Sequence, residues 1–308
     1  MYIAGIDAGG SKTECIIWDT EREEVAAQSR TGPANYQVVG LNKAVGEIKQ
    51  ALKLVLNSVG LESIPLVGLG IAGAGREEDI NRLKARLNDV SWINKFVITD
   101  DGRSALLGAT GGHPGMILIA GTGSIAYGLR EDGGFIRSGG WGPILGDEGS
   151  GFWLGLKAIK LVIRASEGRA QRTSLTDIVK EELKIDKLSK LVSFIHKGKL
   201  PRKKIAALVP SIIKEAENDD QSAKNLVDTG IEELLLLVKS IKARLDYNPD
   251  NISVCGGLFN SQYFYQLFAE TSKNRLNLNS YKPLYSAKQG AVFYAQRKYK
   301  GEENINNG

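Results

Sequence analysis

The stretch Ile6-Asp7-Ala8-Gly9-Gly10-Ser11-Lys12-Thr13 decides how the rest of the chain is read. Residues 2–6 form a short apolar run that reads as a strand, and an acid, Asp7, stands at its end. Two glycines and two hydroxyls follow, and a second apolar run begins at residue 14. A glycine pair lets the backbone turn tightly and come close to a ligand, and successive N–H groups in such a turn form a concave anion site. The Asp7 carboxylate would repel a bare phosphate but suits one that carries a divalent cation. The stretch therefore reads either as half of a nucleotide-phosphate clamp or as an ordinary hairpin turn.

Working outward, residues 14–18 and 24–29 read as second and third strands. Residues 42–59 read as a helix, with Ala44, Ile48, Ala51, Leu52 and Val55 recurring on one face. A strand over 65–71, a helix over 77–87 and a strand over 95–99 follow. The order β-β-β-α-β-α-β, with near-continuous apolar strands, implies a sheet covered on both faces. Then the pattern starts again. Residues 116–120 are an apolar strand ending in Gly121-Thr122-Gly123-Ser124, and strands over 125–130 and 134–138 come next. Helices are predicted over 149–165, 175–183, 188–195, 203–217 and 223–245, and a strand over 251–255 ends at Gly256-Gly257. Helices over 262–271 and 286–298 close the chain, with a polar tail that frays from residue 301. The reading is an α/β chain of two domains with a duplicated opening, 1–114 and 115–308. The turn-forming His113-Pro114-Gly115 joins them, and the last helix is free to pack back across this hinge. Ligands in open α/β sheets bind beyond the carboxyl ends of strands. Asp7, Asp101, Gly121 and Gly256 all lie at such ends, so two facing domains would point them into one cleft.

At 308 residues there is room for two domains, and 42% hydrophobic with 24% charged residues is ordinary for a soluble globular protein. The net charge of +5 is spread along helical stretches that mix lysines with acids. The basic run over 202–204 sits at a helix start without interleaved aromatics, so nucleic acid is not an expected partner. The two cysteines, Cys15 and Cys255, each lie in an apolar strand-like run, where a small buried side chain is the usual role. No disulfide framework or metal-ligand spacing is present. The apolar runs are too short to span a bilayer and the N-terminus has no signal-peptide core, so a cytoplasmic protein without a membrane partner is expected.

A Walker A loop is absent. Gly68, Gly70 and Gly73 match the dinucleotide spacing G-x-G-x-x-G, but the first two lie inside an apolar run rather than after it. The two glycine-and-hydroxyl turns are better read together, as grips on one polyphosphate. Asp100-Asp101-Gly102 opens a helix at a strand end. Adjacent acids there suit one helix cap and one general base, which must lie within hydrogen-bond reach of a substrate hydroxyl. Residues 139–151, Gly-Gly-Trp-Gly-Pro-Ile-Leu-Gly-Asp-Glu-Gly-Ser-Gly, are too glycine-rich for a regular element. The ring of Trp141 and the carboxylates of Asp147 and Glu148 suit a polyhydroxylated ligand. The alternative is a structural loop in which Asp147 caps the following helix.

Taken in order, these motifs resemble the sugar-kinase/actin/heat-shock-70 ATPase superfamily, and within it the N-acetylglucosamine kinase group. That group is joined in sequence to archaeal broad-specificity hexokinases, glucosamine kinases and activator ATPases of benzoyl-CoA reductase and 2-hydroxyacyl-CoA dehydratase. The resemblance implies two ribonuclease-H-like (actin-like ATPase) domains with a duplicated βββαβαβ core and an interdomain cleft. Asp7-Ala-Gly-Gly-Ser-Lys-Thr13 is similar to the first phosphate motif, and Gly32-Pro-Ala-Asn35 to the loop whose Asn contacts the sugar. Asp101-Gly-Arg-Ser-Ala-Leu106 is similar to the segment that supplies the base, and Ala120-Gly-Thr-Gly-Ser124 to the second phosphate motif. Gly139-Gly140-Trp141-Gly142 and Gly146-Asp147-Glu148-Gly149-Ser150 resemble the loop that closes the sugar site, and Cys255-Gly256-Gly257 the adenosine motif. In the family the base stands four residues before an Ala/Ser-Leu/Ile pair, here Ala105-Leu106, which selects Asp101 over Asp100.

The implied activity is ATP-dependent phosphorylation of a hexose or amino-hexose (N-acetylglucosamine, glucosamine or glucose) on its 6-hydroxyl, with ATP and Mg2+ as cofactors. Phosphate contacts are implied for Gly9, Gly10, Ser11, Lys12, Thr13, Gly121, Thr122, Gly123 and Ser124, adenosine contacts for Gly256 and Gly257, and metal binding through water for Asp7. Sugar contacts are implied for Asn35, Asp101, Gly140, Trp141, Asp147 and Glu148. Homodimers are common in the group, and a homodimer is expected here. The rival from another class is an ATPase that activates a dehydratase or reductase. Such activators hold a shared cluster on cysteine thiolates, usually two close together at the start of the second domain, whereas Cys15 and Cys255 stand near opposite ends of this chain.

Overall fold

The computed structural model describes residues 1–196 and 201–306. The chain opens with β1 (Tyr2–Ala8), β2 (Thr13–Asp19) and β3 (Glu24–Thr31), followed by α1 (Tyr36–Val39) and α2 (Leu41–Ser58). Then come β4 (Ile64–Ile71), α3 (Glu77–Leu87), β5 (Ile93–Thr99) and α4 (Asp101–Thr110). The second opening is β6 (Gly115–Ala120), β7 (Ser124–Leu129) and β8 (Phe135–Gly139). A helical stretch follows: α5 (Gly151–Ser166), α6 (Leu175–Glu182), α7 (Lys190–His196), α8 (Arg202–Ala206), α9 (Val209–Glu217) and α10 (Gln221–Lys242). The chain ends with β9 (Asn251–Cys255), a 3-10 turn (Gly257–Asn260), α11 (Gln262–Leu276), β10 (Asn279–Tyr281) and α12 (Ala287–Asn306).

Among the described residues the strands form two five-stranded sheets, ordered β3-β2-β1-β4-β5 and β8-β7-β6-β9-β10. In each, the first three strands are antiparallel, and the fourth and fifth run parallel to the first. The α/β class and the repeated opening expected from the sequence are both present. Two compact units result: Met1–Pro114 with the chain from Pro283 onward, and Gly115–Lys282.

The first unit shows why its strands read as apolar runs. Ala4, Ile6 and Ala8 of β1 point to one face, where they meet the buried stripe Ala44, Ile48, Ala51, Leu52 and Val55 of α2. Ile3, Ile16, Trp18 and Leu66 point to the other, under Val292 and Ala295 of α12. Gly5 and Gly68 are register partners on neighbouring strands, and together they leave a flat strip for the α12 backbone. A Cβ on Gly5 would lie 2.1 Å from the Lys288 carbonyl oxygen, and one on Gly68 would lie 1.9 Å from that of Ala291. Gly70 admits the Ser104 hydroxyl of α4 in the same way, at 2.2 Å. The first two glycines of the G-x-G-x-x-G spacing are therefore accounted for by helix packing, and Gly73 by a turn at φ +89°.

Helix α12 also crosses α4, which carries Asp101. A Cβ on Gly290 would stand 1.8 Å from the Ser104 carbonyl oxygen and 2.4 Å from the Gly108 nitrogen. Both obstacles are backbone, so no side-chain rotation relieves them. Gly290→Ala is expected to cost about 3 kcal/mol, the upper end of ordinary overpacking, read as a lower urea midpoint. An unchanged midpoint would mean that this crossing has slack.

In the second unit α10 buries Val227, Ile231, Leu234, Val238 and Ile241 with Leu118, Ala126 and Leu154. The helix expected over 203–217 is two helices, α8 and α9, with Pro210 in the first turn of the second. Proline lacks an N–H and its ring excludes the carbonyl four residues back, here that of Ala206. Strand β10 is absent from the sequence reading because it is short and polar; its register comes from β9. Helix α12 continues to Asn306, past residue 301 where fraying was expected. Residues 307 and 308 lie outside the described residues. No described helix is long and apolar enough to cross a membrane.

Candidate active site

Asp7 lies on β1, just before the turn of residues 9–12. It is paired in register with Gly70 of β4, and Gly70 with Thr99 of β5. Two strand spacings, about 10 Å, therefore separate Asp7 from Thr99, and Asp100-Asp101 come directly after. Burial, then the negative charges of Asp101 and Glu14, push the Asp7 carboxyl up to about 6, against the pull of Lys12 and Lys288. Lys12 pairs with Glu14 at 2.5 Å and Lys288 with Glu14 at 3.9 Å. Lys288 belongs to α12 and stands in no motif, so the sequence reading missed it.

Asp100 and Asp101 have different tasks. Asp100 is the N-cap of α4 and accepts from the Arg103 N–H at 2.9 Å. Its second oxygen faces the Arg103 guanidinium at 3.2 Å, and the residue is 7% exposed. Asp101 is exposed, and its carboxylate accepts from the Gly102 N–H at 3.1 Å. Protein packed around the Asp101 carboxyl raises its pKa, and Asp100 adds to the rise.

The loop after β3 is fastened to the turn after β1. The N–H groups of Ala34 and Asn35 both donate to the Gly9 carbonyl, at 3.0 and 3.1 Å. The Thr13 hydroxyl donates to the Gly32 carbonyl at 2.8 Å. Asn35 caps α1 by accepting from the Gln37 N–H at 3.2 Å, which leaves its amide NH2 for other partners. The Tyr36 hydroxyl donates to Asp79 of α3, and the Gln37 side chain donates to the Gly73 carbonyl. Asn35 is thereby held beside the turn of residues 9–12.

The second unit repeats this construction. The Gly121 N–H donates to the Gly123 carbonyl, as that of Gly9 does to Lys12, both at 2.9 Å. The Ser124 hydroxyl donates to the Glu148 carbonyl at 2.7 Å, and the Gly151 N–H donates to the Gly121 carbonyl at 2.8 Å. Asp147, 5% exposed and at φ +61°, lays its carboxylate against Gly123. It accepts from the Ser124 N–H at 3.4 Å and pairs with Arg202 at 2.9 Å. Asp147 does not cap α5: the Ser150 side chain does, accepting from Trp153. Gly140, at φ +70°, precedes Trp141, whose ring is 64% exposed and stacked by the Arg137 guanidinium at 4.9 Å.

Gly121 and Thr122 line one end of an open pocket of about 730 Å³ within this unit, with Gly257 beside them. Gly256, at φ +103°, lets the chain pass the Ala120 carbonyl, which a Cβ would meet at 2.3 Å. Ala206, Val209, Pro210 and Ile213 make an apolar wall, and Lys203, Asn260 and Ser261 supply polar groups. The volume is typical of a small-molecule site. The basic run over 202–204, read from sequence only as a helix start without interleaved aromatics, sends Arg202 to Asp147 and Lys203 to this pocket. No local signal in the sequence announces either contact.

Residues 4–295 match the BadF/BadG/BcrA/BcrD ATPase family. An N-acetylmuramic acid/N-acetylglucosamine kinase of Clostridium acetobutylicum is 32% identical over 304 residues, covering 96% of each chain. An N-acetyl-D-glucosamine kinase of Dictyostelium discoideum is 31% identical over 265 residues, 80% of this chain and 81% of its own. Among solved structures, a Chromobacterium violaceum protein provisionally named an N-acetylglucosamine kinase aligns with a TM-score of 0.77. It is 26% identical and covers 96% of this chain and 99% of its own.

Proposed function

This chain belongs to the BadF/BadG/BcrA/BcrD ATPase family, and on that footing we propose that it is an ATP-dependent kinase of an amino-hexose or hexose. The substrates we assign are N-acetylglucosamine, glucosamine or glucose, phosphorylated on the 6-hydroxyl, with Asp101 as general base. The observation that carries this reading is the division of labour at the start of α4. Asp100 is occupied by the cap and by Arg103, and Asp101 is left open with a raised pKa. A carboxylate of raised pKa is a stronger proton acceptor than an ordinary one. The similarity to amino-sugar kinases along 96% of the chain supports the same reaction class.

In the proposed step the sugar hydroxyl gives its proton to Asp101 as its oxygen bonds to the γ-phosphorus. The bond from that phosphorus to the bridging oxygen breaks, and ADP leaves with the electron pair. Asn35 and Asp101 hold the hydroxyls of the sugar, and Gly140, Trp141, Asp147 and Glu148 belong to the loop assigned to closing over it. The turns of residues 9–12 and 121–123 are assigned to the phosphates, and Gly256-Gly257 to the adenosine. Such transfer is mostly positioning and charge stabilisation.

The residues present suit Mg2+. Among the described residues no three His, Cys, Asp or Glu side chains cluster as a protein cage for a metal. Mg2+ commonly takes one or two carboxylates and keeps several waters. Asp7, with a carboxyl crowded by burial and by neighbouring acids, gains from a cation there. When bound, the ion supplies neutralisation of phosphate charge; Asp7 would hold it, through water.

The activator reading needs accessible thiolates. Cys15 is fully buried in the first sheet, and burial pushes the Cys255 thiol up to about 11. The test is a coupled ADP-release screen over N-acetylglucosamine, glucosamine, glucose, mannose and water alone. Release well above the water rate with at least one of the first three is expected. Equal release in all arms would end the kinase reading.

A further inference from the structure

We propose that the side chains of Thr13 and Ser124 do not bind phosphate; each is a positioning residue that staples a ligand loop to its phosphate turn. The two residues are equivalents in the repeated openings. Each is the first residue of the second strand, in register with the last residue of the first: Ala8 with Thr13, Ala120 with Ser124. Thr13 is 0% exposed and Ser124 is 2% exposed. A hydroxyl has a single proton to donate. That of Thr13 goes to the Gly32 carbonyl at 2.8 Å and that of Ser124 to the Glu148 carbonyl at 2.7 Å.

Each staple has a second arm, running the other way. The Gly9 carbonyl accepts from Ala34 and Asn35, and the Gly121 carbonyl accepts from Gly151. The turn and the loop after the third strand therefore exchange bonds in both units. The remaining hydroxyls behave differently. Ser11 and Thr122 are exposed, and among the described residues neither side chain donates to the chain. An anion arriving at either turn can reach these hydroxyls, whereas those of Thr13 and Ser124 are turned inward and already used. Sequence reading groups all four because every one is a hydroxyl in a glycine-bearing turn motif.

The function of the staple rests on the assignment of Asn35 to the sugar. Losing it should loosen the sugar loop and leave the phosphate donors in place. The test measures N-acetylglucosamine affinity without nucleotide, and the affinity of a non-hydrolysable ATP analogue without sugar, by calorimetry. Thr13→Val keeps the side-chain shape and the strand preference. It should weaken sugar binding about tenfold, the worth of one good hydrogen bond, with nucleotide affinity within about twofold of the parent. Thr13→Ser, which keeps the donor, should restore sugar binding, and Ser124→Ala should weaken it without affecting the nucleotide.

Loss of nucleotide affinity with sugar binding intact, in Thr13→Val or in Ser124→Ala, overturns the proposal. Should Thr13→Val fail to fold, Thr13→Ser and Ser124→Ala decide it: normal sugar binding in Ser124→Ala, or weakened nucleotide binding in either, is the contrary result. Asn35→Ala separates the two levels of failure. If it weakens sugar binding and Thr13→Val does not, the staple is wrong. If neither does, the sugar assignment of the loop falls first and the staple's role falls with it.

Discussion

Replacing Asp101 with Asn is expected to cut sugar-dependent ADP release by about 10²–10⁴-fold, the range for removing a general base. Binding of a non-hydrolysable ATP analogue should survive, because the nucleotide contacts we assign lie in other segments. Asp100→Asn is the matched control. Asn caps helices about as well as Asp, so this variant loses the contact to Arg103 but keeps the cap and should keep turnover. Stopped-flow or coupled assays on the two variants decide between neighbouring acids. A silent Asp101→Asn with a dead Asp100→Asn would exchange their roles.

The second large effect concerns Asp7, and its sign runs against intuition. The folded carboxyl titrates near 6, above its ordinary value of 3.8. The native state therefore holds a proton that the unfolded chain releases between those values. Stability is at its full value below about pH 4 and falls as pH rises through 6. A shift of about two units is worth about 3 kcal/mol. Asp7→Asn removes the buried charge, so its thermal midpoint without added metal should exceed the parent's by several degrees at pH 7.5, with no gain at pH 4. The same variant should lose nearly all Mg2+-dependent turnover. A midpoint lowered at pH 7.5 would show that the charge is satisfied rather than strained.

These two acids were legible in the sequence because each stands where an apolar run stops. The strand over 251–255 and the helix over 77–87 were read with their observed bounds for a related reason: their signals are local. What stayed hidden depends on partners distant in the chain. Nothing near Lys288 announces that it will stand by Glu14, and nothing near Arg202 announces Asp147. Three polar residues become β10 only because β9 offers a free edge. Thr13 and Ser11 are both hydroxyls in one motif, and position rather than composition separates them: Thr13 opens β2 and is buried, while Ser11 lies in the turn before it and is exposed.

The return of α12 to the first sheet bears on how the protein is made. Val292 and Ala295, which cover Ile3 and Leu66, leave the ribosome nearly a whole chain after them. Gly115–Lys282 holds its own core and can fold during translation, while the face around Gly5 and Gly68 waits in water. Exposed apolar surface of that kind is where nascent chains aggregate. A transcript cut short before α12 would thus yield a finished second half joined to a sticky, open first half, with Asp7 and Asp101 never brought to their final setting.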